Sequence, residues 1–318
     1  MRVWDAAANA DGAATLRFDA DELAVPHLGY IVENTVLRHA LFETLVPLGI
    51  DARFGTMIDS VDLAGIHPAV RFAGGAVEHF DLVIAADGAE SPLRRMAGLP
   101  VWEHPYRQAA FVAHFLTEHP HRETAWQRFL PTGPLGLLPM ADGRVSVVWT
   151  TTPEEAAAAL VLDNAALGRR MTNASDGVLG EFRPCGPRGS FPLVARHAQQ
   201  YVRHGLALLG DAAHTVHPLA GQGANLGIAD AAVLVNVIAD ALDRGEHPGD
   251  RPVLRRYERA RKGENAAMLH FLTGLNRLFA SDSATVGELR RTGMAIFNRS
   301  GPIRHAMAGV ALGAAAGQ

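Results

Sequence analysis

The sequence predicts an α/β fold of the mixed, α+β kind, and three observations carry that prediction. Over residues 205–242 a buried strand, an acidic turn, a glycine-rich loop and a long apolar helix follow one another. Over residues 81–94 a second apolar strand runs into an Asp-Gly turn and a helix start. Between them, residues 103–193 hold segments that alternate apolar and polar side chains, as half-buried antiparallel strands do. Strands feeding helices, interrupted by an antiparallel stretch, point to a molecule of more than one part. The 318 residues, 48% of them hydrophobic, suffice for one large or two ordinary domains.

In chain order, residues 1–5 and 15–19 read as short strands. The segment from Leu28 then passes from strand to amphipathic helix, with Val36, Leu37, Leu41 and Leu45 at helical spacing and Asn34 as its N-cap. Residues 56–63, 69–72 and 77–80 read as a small antiparallel set. The four apolar residues 82–85 read as a strand buried on both faces. The chain turns at Asp87-Gly88, and Ser91-Pro92 is an N-cap followed by proline at the first helical position. Ligands of open α/β sheets bind beyond the carboxyl ends of strands, where Asp87 falls. Strands are expected over 108–116, 124–130 and 144–150, helices over 152–160 and 165–171, and a return strand over 188–192. The apolar segment 133–140, Gly-Pro-Leu-Gly-Leu-Leu-Pro-Met, lies between two of those strands. After the strand at 206–209, a helix runs from near Gly221 through Leu242. Helices follow at 254–265 and 268–279, with a tail from Val286.

The run from Gly205 to Asp230 carries the strongest chemical signal. It reads Gly-Asp-Ala-Ala-His at 210–214, then Pro218, and then Gly-x-Gly-x-Asn-x-Gly from Gly221. A carboxylate at a strand end accepts hydroxyl protons, and a helix N-terminus carries about half a positive charge that suits a developing anion. The run resembles the second flavin-binding motif of the class A flavoprotein aromatic hydroxylases, the family of p-hydroxybenzoate hydroxylase. Its wording is most similar to the branch that hydroxylates polyprenylated phenols in ubiquinone biosynthesis. The resemblance implies that Gly210 and Asp211 bind the ribityl chain of FAD. It implies that the loop of Pro218, Gly221, Gln222, Gly223, Ala224 and Asn225 lines the flavin ring, with Pro218, Gly221 and Gly223 nearest the reaction.

The run at 81–94 resembles the Asp-Gly motif of the same family. Asp87, Gly88 and Arg94, with Ser91, stand at the positions associated there with the FAD pyrophosphate and with NAD(P)H use. The segment 133–140 also resembles the ubiquinone branch, where such a sheet roofs the substrate pocket. The implied fold is a Rossmann-like FAD/NAD(P)-binding domain with an inserted antiparallel substrate domain and C-terminal helices. The expected parts are 1–102 and 194–250 for the FAD domain, 103–193 for the substrate domain and 251–318 for a helical region. The implied activity is an FAD-dependent monooxygenase that takes electrons from NAD(P)H. It carries O2 as a flavin C4a-hydroperoxide to the aromatic ring of a prenylated phenol, with no side chain acting as general acid or base.

The chain departs from the family in one respect: it holds no G-x-G-x-x-G fingerprint of a first βαβ unit. The expectation is therefore an N-terminally truncated FAD domain whose strand at 82–86 exposes an apolar edge. Two alternatives stand beside the hydroxylase: a non-catalytic remnant or interaction subunit with impaired FAD binding, and a hydroxylase of another aromatic substrate.

The rest is exclusion. A net charge of −4 implies no nucleic-acid partner, and Cys185, the single cysteine, excludes an internal disulfide framework. No apolar run is read as a membrane span and Met1-Arg-Val-Trp-Asp5 is no signal peptide, so a cytoplasmic, soluble or peripheral protein is expected. No metal is expected: His214 and His217 lack a third ligand, and residues 118–123 suit an exposed loop. No G-x-S-x-G elbow supports a hydrolase. Arg290, Arg291, Arg299 and Arg304 interleave with Met294, Ile296, Phe297 and Met307, either as a membrane-docking face or, the favoured reading, as a helix packed on the body.

Overall fold

A computed structural model describes residues 1–280 and 284–301. The chain begins with β1 (Arg2–Asp5), β2 (Leu16–Arg17) and α1 (Asn34–Leu45). The strands β3 (Ile58–Asp62), β4 (Ala69–Phe72), β5 (Val77–His79) and β6 (Val83–Ala85) follow, then α2 (Pro92–Met96). Next come β7 (Val101–Thr117), β8 (Trp126–Leu130), β9 (Gly133–Pro139) and β10 (Val145–Thr151), with α3 (Pro153–Val161) and α4 (Asn164–Ala174). The last strands are β11 (Phe182–Ala198), β12 (Val202–Arg203), β13 (Leu206–Leu208) and β14 (His214–Thr215). Three helices close the chain: α5 (Gln222–Asp243), α6 (Arg251–Phe279) and α7 (Ala284–Arg299). The expected helices at 254–265 and 268–279 are one. Ala266 and Ala267, the residues between them, are the best of helix formers, so nothing there breaks the ladder.

The chain divides into two compact units. The first comprises residues 1–49, 107–193 and those from Asn276 on. Its strands run β7-β10-β9-β8-β1-β2 in order, with β1 parallel to β8 through Arg2↔Trp126 to Asp5↔Phe129. That pairing places residues 1–49 with the antiparallel strands, whereas the sequence reading grouped them with 50–102. The segment 133–140 is a core strand: β9 pairs on both sides, and its Leu135 and Leu137 are buried. They pack with Phe111, Phe115, Val145 and Val147 against Ala156, Leu167 and Met171 of α3 and α4. Each large apolar side chain so buried contributes about 1.5–3 kcal/mol. The two helices start where a side chain closes the first turn, Thr152 Oγ1 accepting from Glu155 N and Asp163 Oδ1 from Ala166 N.

Two expectations in this unit are corrected. The N-cap of α1 is Glu33, not Asn34, and no side chain closes that turn because the Glu33 carboxylate reaches Arg144 at 2.8 Å. The helix forms where its spacing predicts, yet none of its residues is buried, and Val36, Leu37 and Leu41 stay exposed. In the tail, Arg290 is engaged internally by Asp5 at 2.5 Å and by the Leu278 and Phe279 carbonyls, and Met294 is buried. This favours a helix packed on its own unit. Arg304 and Met307 lie outside the described residues.

The second unit comprises residues 50–106 and 194–275. β3, β4 and β5 form an antiparallel sheet, as expected, and β12-β13-β6 form another in which β13 and β6 are parallel. Leu93, Leu99, Leu206, Leu208, Leu234, Leu254 and Tyr257 build its core. The strand at 82–85 is not covered on both faces. Among the described residues β6 is an edge strand with β13 on one side only, and Ile84 is 43% exposed while Ala85 is fully buried. The apolar edge expected there is present. By length and hydropathy α5 is able to cross a membrane, contrary to the sequence reading that no stretch does. Its mid-helix Asp230 is fully buried among polar partners within this unit, as befits a packed helix.

Candidate functional site

The parallel register of the second unit sets the site. Leu206↔Val83, Ala207↔Ile84 and Leu208↔Ala85 are paired, so the carboxyl ends of β13 and β6 lie side by side. Gly210-Asp211 and Asp87-Gly88 therefore leave the sheet at the same edge, and Leu209 N donates to the Ala85 carbonyl at 3.0 Å. Both turns are left-handed at glycine, with φ +59° at Gly210 and +85° at Gly88, a conformation costly for other residues.

Arg94 joins the two turns. Its guanidinium is buried and donates to the Ala212 carbonyl at 2.8 Å and the Ala89 carbonyl at 2.9 Å. Burial and, after it, the charge of Arg196 lower its pKa. Asp87 is turned to its own helix: its carboxylate accepts from Ser91 Oγ and from Leu93 N at 3.0 Å, while Ser91 Oγ accepts from Arg94 N at 2.9 Å. The Ser91 cap is thus as the sequence predicts. Asp87 and Arg94 hold the turn that carries Gly88.

The glycine-rich loop ends in a tight turn, Pro218–Ala220, closed by Gly221 N donating to the Pro218 carbonyl at 3.2 Å. Gly221, at φ +62°, is the N-cap of α5. Gly223 is the second residue of α5, in its first turn, where glycine is a poorer helix former than alanine by up to about 1 kcal/mol. A Cβ built at Gly221 or Gly223 meets no atom within 4 Å. At Gly221 the left-handed φ calls for glycine, whereas the helical Gly223 is crowded by no described neighbour and leaves open space at the helix start. Gly221, Ala224 and Asn225 are exposed, and Gln222 and Gly223 half-buried, around this helix start. Gly227 has the opposite reason: a Cβ there would stand 3.3 Å from Gly210 Cα, so it lets α5 close on the acidic turn. An open glycine cradle, a helix N-terminus and an accessible carboxylate fit a polar, partly anionic cofactor such as FAD.

Asp211 is accessible, yet the surrounding protein raises its pKa; the charges of His214 and Arg196 pull the other way. Arg196 is itself held by Glu103 at 2.9 Å and by Glu90. Behind this turn lies a cluster to which the sequence reading gave no role. Asp230, fully buried, accepts from Gly210 N at 3.2 Å, His214 Nε2 at 2.6 Å, Arg261 Nε at 2.7 Å and Asn265 Nδ2 at 3.1 Å. Burial pushes its carboxyl pKa up, but the bonds from His214, Arg261 and Asn265 outweigh this and hold it below the usual range. An aspartate inside an apolar helix, with Arg261 and Asn265 one turn apart on the next, was the available signal. His217 is buried, and burial lowers its pKa to about 4. His214 turns its Nε2 to Asp230.

Residues 118–123 form the exposed loop expected of them. Elsewhere His67 Nδ1 and His247 Nε2 approach Asp81 Oδ1 at 3.1 and 3.4 Å. Gly249 N donates to His247 Nδ1 at 3.2 Å. The ligand atoms of these three side chains lie within 4.8 Å of one another in the second unit.

The family described as FAD binding domain matches residues 5–271. The 3-demethoxyubiquinol 3-hydroxylase of Escherichia coli (strain K12) is 37% identical over 301 residues, covering 93% of this chain and 76% of that protein. Among solved structures, p-nitrophenol 4-monooxygenase PnpA from Pseudomonas putida DLL-E4 superposes with a TM-score of 0.78 at 17% identity, over 96% of this chain and 79% of that one. The Diels-Alderase PyrE3 of pyrroindomycin biosynthesis gives 0.70 at 24% identity, over 87% of this chain, which spans 59% of PyrE3. The structural likenesses speak to the fold, and the family match and sequence identity to descent: the chain belongs to the FAD-binding family of flavoprotein monooxygenases, together with the ubiquinone-biosynthesis hydroxylases.

Proposed function

We propose that this chain is an FAD-dependent, NAD(P)H-consuming monooxygenase that hydroxylates the aromatic ring of a polyprenylated phenol in ubiquinone biosynthesis. The observation that carries the reading is the pair of glycines, Gly221 and Gly223, that open onto empty space at a helix N-terminus beside an accessible Asp211. The 37% identity to a 3-demethoxyubiquinol hydroxylase supports the substrate class.

Asp211 accepts hydroxyl protons of the ribityl chain, and Gly210 gives the turn that presents it. Pro218, Gly221, Gln222, Gly223, Ala224 and Asn225 lie against the flavin ring, where the helix N-terminus favours negative charge. Gly88, held by Asp87 and Arg94, receives the pyrophosphate side. The bound flavin supplies reduction by nicotinamide and transfer of one oxygen atom from O2 to an electron-rich ring. The chain's task is placement and exclusion of water. His217, neutral at pH 7, puts no full charge beside the Pro218 turn. The protein is cytoplasmic in this reading, peripheral at the inner membrane face that dissolves a prenylated substrate or within a biosynthetic complex.

Product analysis tests the reading. Purified chain, FAD, reduced nicotinamide, O2 and a polyprenylated phenol are expected to give a product heavier by one oxygen atom. Nicotinamide oxidation with no oxygenated product refutes it, and turnover confined to unprenylated phenols points to another aromatic substrate. One observation favours a second reading, a cofactor-poor interaction subunit: the apolar side chains exposed on α1 and on the β6 edge. Under that reading the purified chain binds no FAD.

A further inference from the structure

We propose that Asp230 is a positioning residue of the candidate cofactor site, which holds the Gly210 amide and the His214 ring so that the turn between them presents Asp211 outward. The carboxylate is fully buried, and each oxygen has a distinct task. Oδ2 accepts from Gly210 N and His214 Nε2, the residues that bracket Asp211 on either side. Oδ1 accepts from Arg261 Nε and Asn265 Nδ2 of α6. One side of the carboxylate is anchored to a long helix, and the other grips the acidic turn.

A buried ion pair is poor stabiliser of a fold, because the cost of desolvating two charges roughly cancels their attraction. Apolar side chains of similar volume would fill the same space at no such cost. Asp230 earns its place through geometry. With Gly227 against Gly210 and Asp230 on the Gly210 amide, the turn is fixed to α5 at two points. The groups facing Asp230 are His214 and Gly210 from the turn, Arg261 and Asn265 from α6, and more distantly Tyr201 and Tyr257; Glu258 acts on those two tyrosines. The groups that act on Asp211 are His214 and Arg196. His214 is common to both sets, and among the described residues only Asp230 holds its Nε2.

This inference rests on the proposed function only for what Asp211 receives, and it is tested without cofactor. The carboxyl carbon of Asp211 is followed by NMR against pH in the wild-type chain, in Asp230→Asn and in Arg261→Met. Arg261→Met serves as the control, since it also damages the buried pair but leaves both bonds to the turn. In Asp230→Asn one acceptor oxygen remains for the four donors that converge there and the negative charge is gone, so the hold on His214 is loosened and the Asp211 midpoint is expected to rise by about half a pH unit or more. In Arg261→Met it is expected to stay within about a tenth of a unit of wild type. Simple removal of a negative charge would move Asp211 the other way, downward. A midpoint in Asp230→Asn that is unchanged or lowered overturns the proposal, as does an equal rise in both variants. If Asp230→Asn does not fold, Asp230→Glu and His214→Gln are read by the same titration, and an unmoved midpoint in both has the same consequence. Failure of the wild-type chain to bind FAD would refute the proposed function and leave this titration readable.

Discussion

Gly223 separates what the fold needs from what a ligand needs. In the isolated chain nothing touches the space where its side chain would be, and its backbone is helical, so alanine fits without strain. Gly223→Ala is expected to stabilise the chain by about 0.5–1 kcal/mol in urea unfolding, while weakening FAD binding roughly tenfold or more, about 1.4 kcal/mol. Gain in stability with unchanged affinity would show that the flavin does not approach this turn. His217 is a second residue whose environment has a measurable consequence. Its folded pKa of about 4 lies below the ordinary value of about 6.5 for the unfolded chain. Above pH ~6.5 the ring is neutral in both states, so the stability due to its burial is fully present. As pH falls toward about 4 the unfolded chain takes up a proton that the folded chain refuses, and up to roughly 3 kcal/mol is lost. Burial holds His197 at about 4 as well, so the two act in the same window. His217→Phe is expected to flatten, without abolishing, the fall in stability between about pH 7 and about pH 5; an undiminished slope contradicts the assignment.

Among the elements, α2 shows a role divided between capping and function. Ser91 closes its first turn and Asp87 bonds Ser91 and Leu93 N, so loss of the Ser91 hydroxyl costs about 1 kcal/mol. Because the Gly88 turn is carried by the same bonds, Ser91→Ala is expected to weaken FAD binding along with stability; calorimetric titration and urea unfolding read the two together. The β6 edge carries a different liability. Ile84 presents an apolar side chain on a strand paired on one side only, the arrangement that invites another strand. Ile84→Lys is expected to lower the rate of aggregation on warming, followed by light scattering, and an unchanged rate would place the sticky surface elsewhere. Local pattern foretold α1, α5, the Ser91 cap and the antiparallel strands, because those rest on neighbouring residues, although it set the N-cap of α1 at Asn34 where Glu33 stands. It failed where long-range contact decides: β1 joins the first unit by pairing with β8, far away in sequence, and the apolar stripe of α1 finds no burial.

At the scale of the molecule, the acidic turn, the Asp-Gly turn and the glycine-rich helix start were all legible as motifs, because each needs particular residues at fixed spacing. Their convergence was not, since it depends on the parallel pairing of β13 with β6 and on a buried Arg94 reaching the Ala212 carbonyl. The support behind the site was least legible. Asp230 comes from α5 and Arg261 and Asn265 from α6, and the packing of the two helices makes one buried cluster of them. What unites these features is a single claim, that Asp211 and the Gly221–Gly223 helix start together hold FAD. The most direct test titrates FAD into the purified chain and into Asp211→Ala, with bound flavin read from visible absorbance and folding from circular dichroism. A saturable flavin complex is expected for the wild-type chain, and a loss of affinity of at least roughly tenfold for a folded Asp211→Ala. A wild-type chain that binds no flavin, or an Asp211→Ala variant that binds it equally well, would contradict the account.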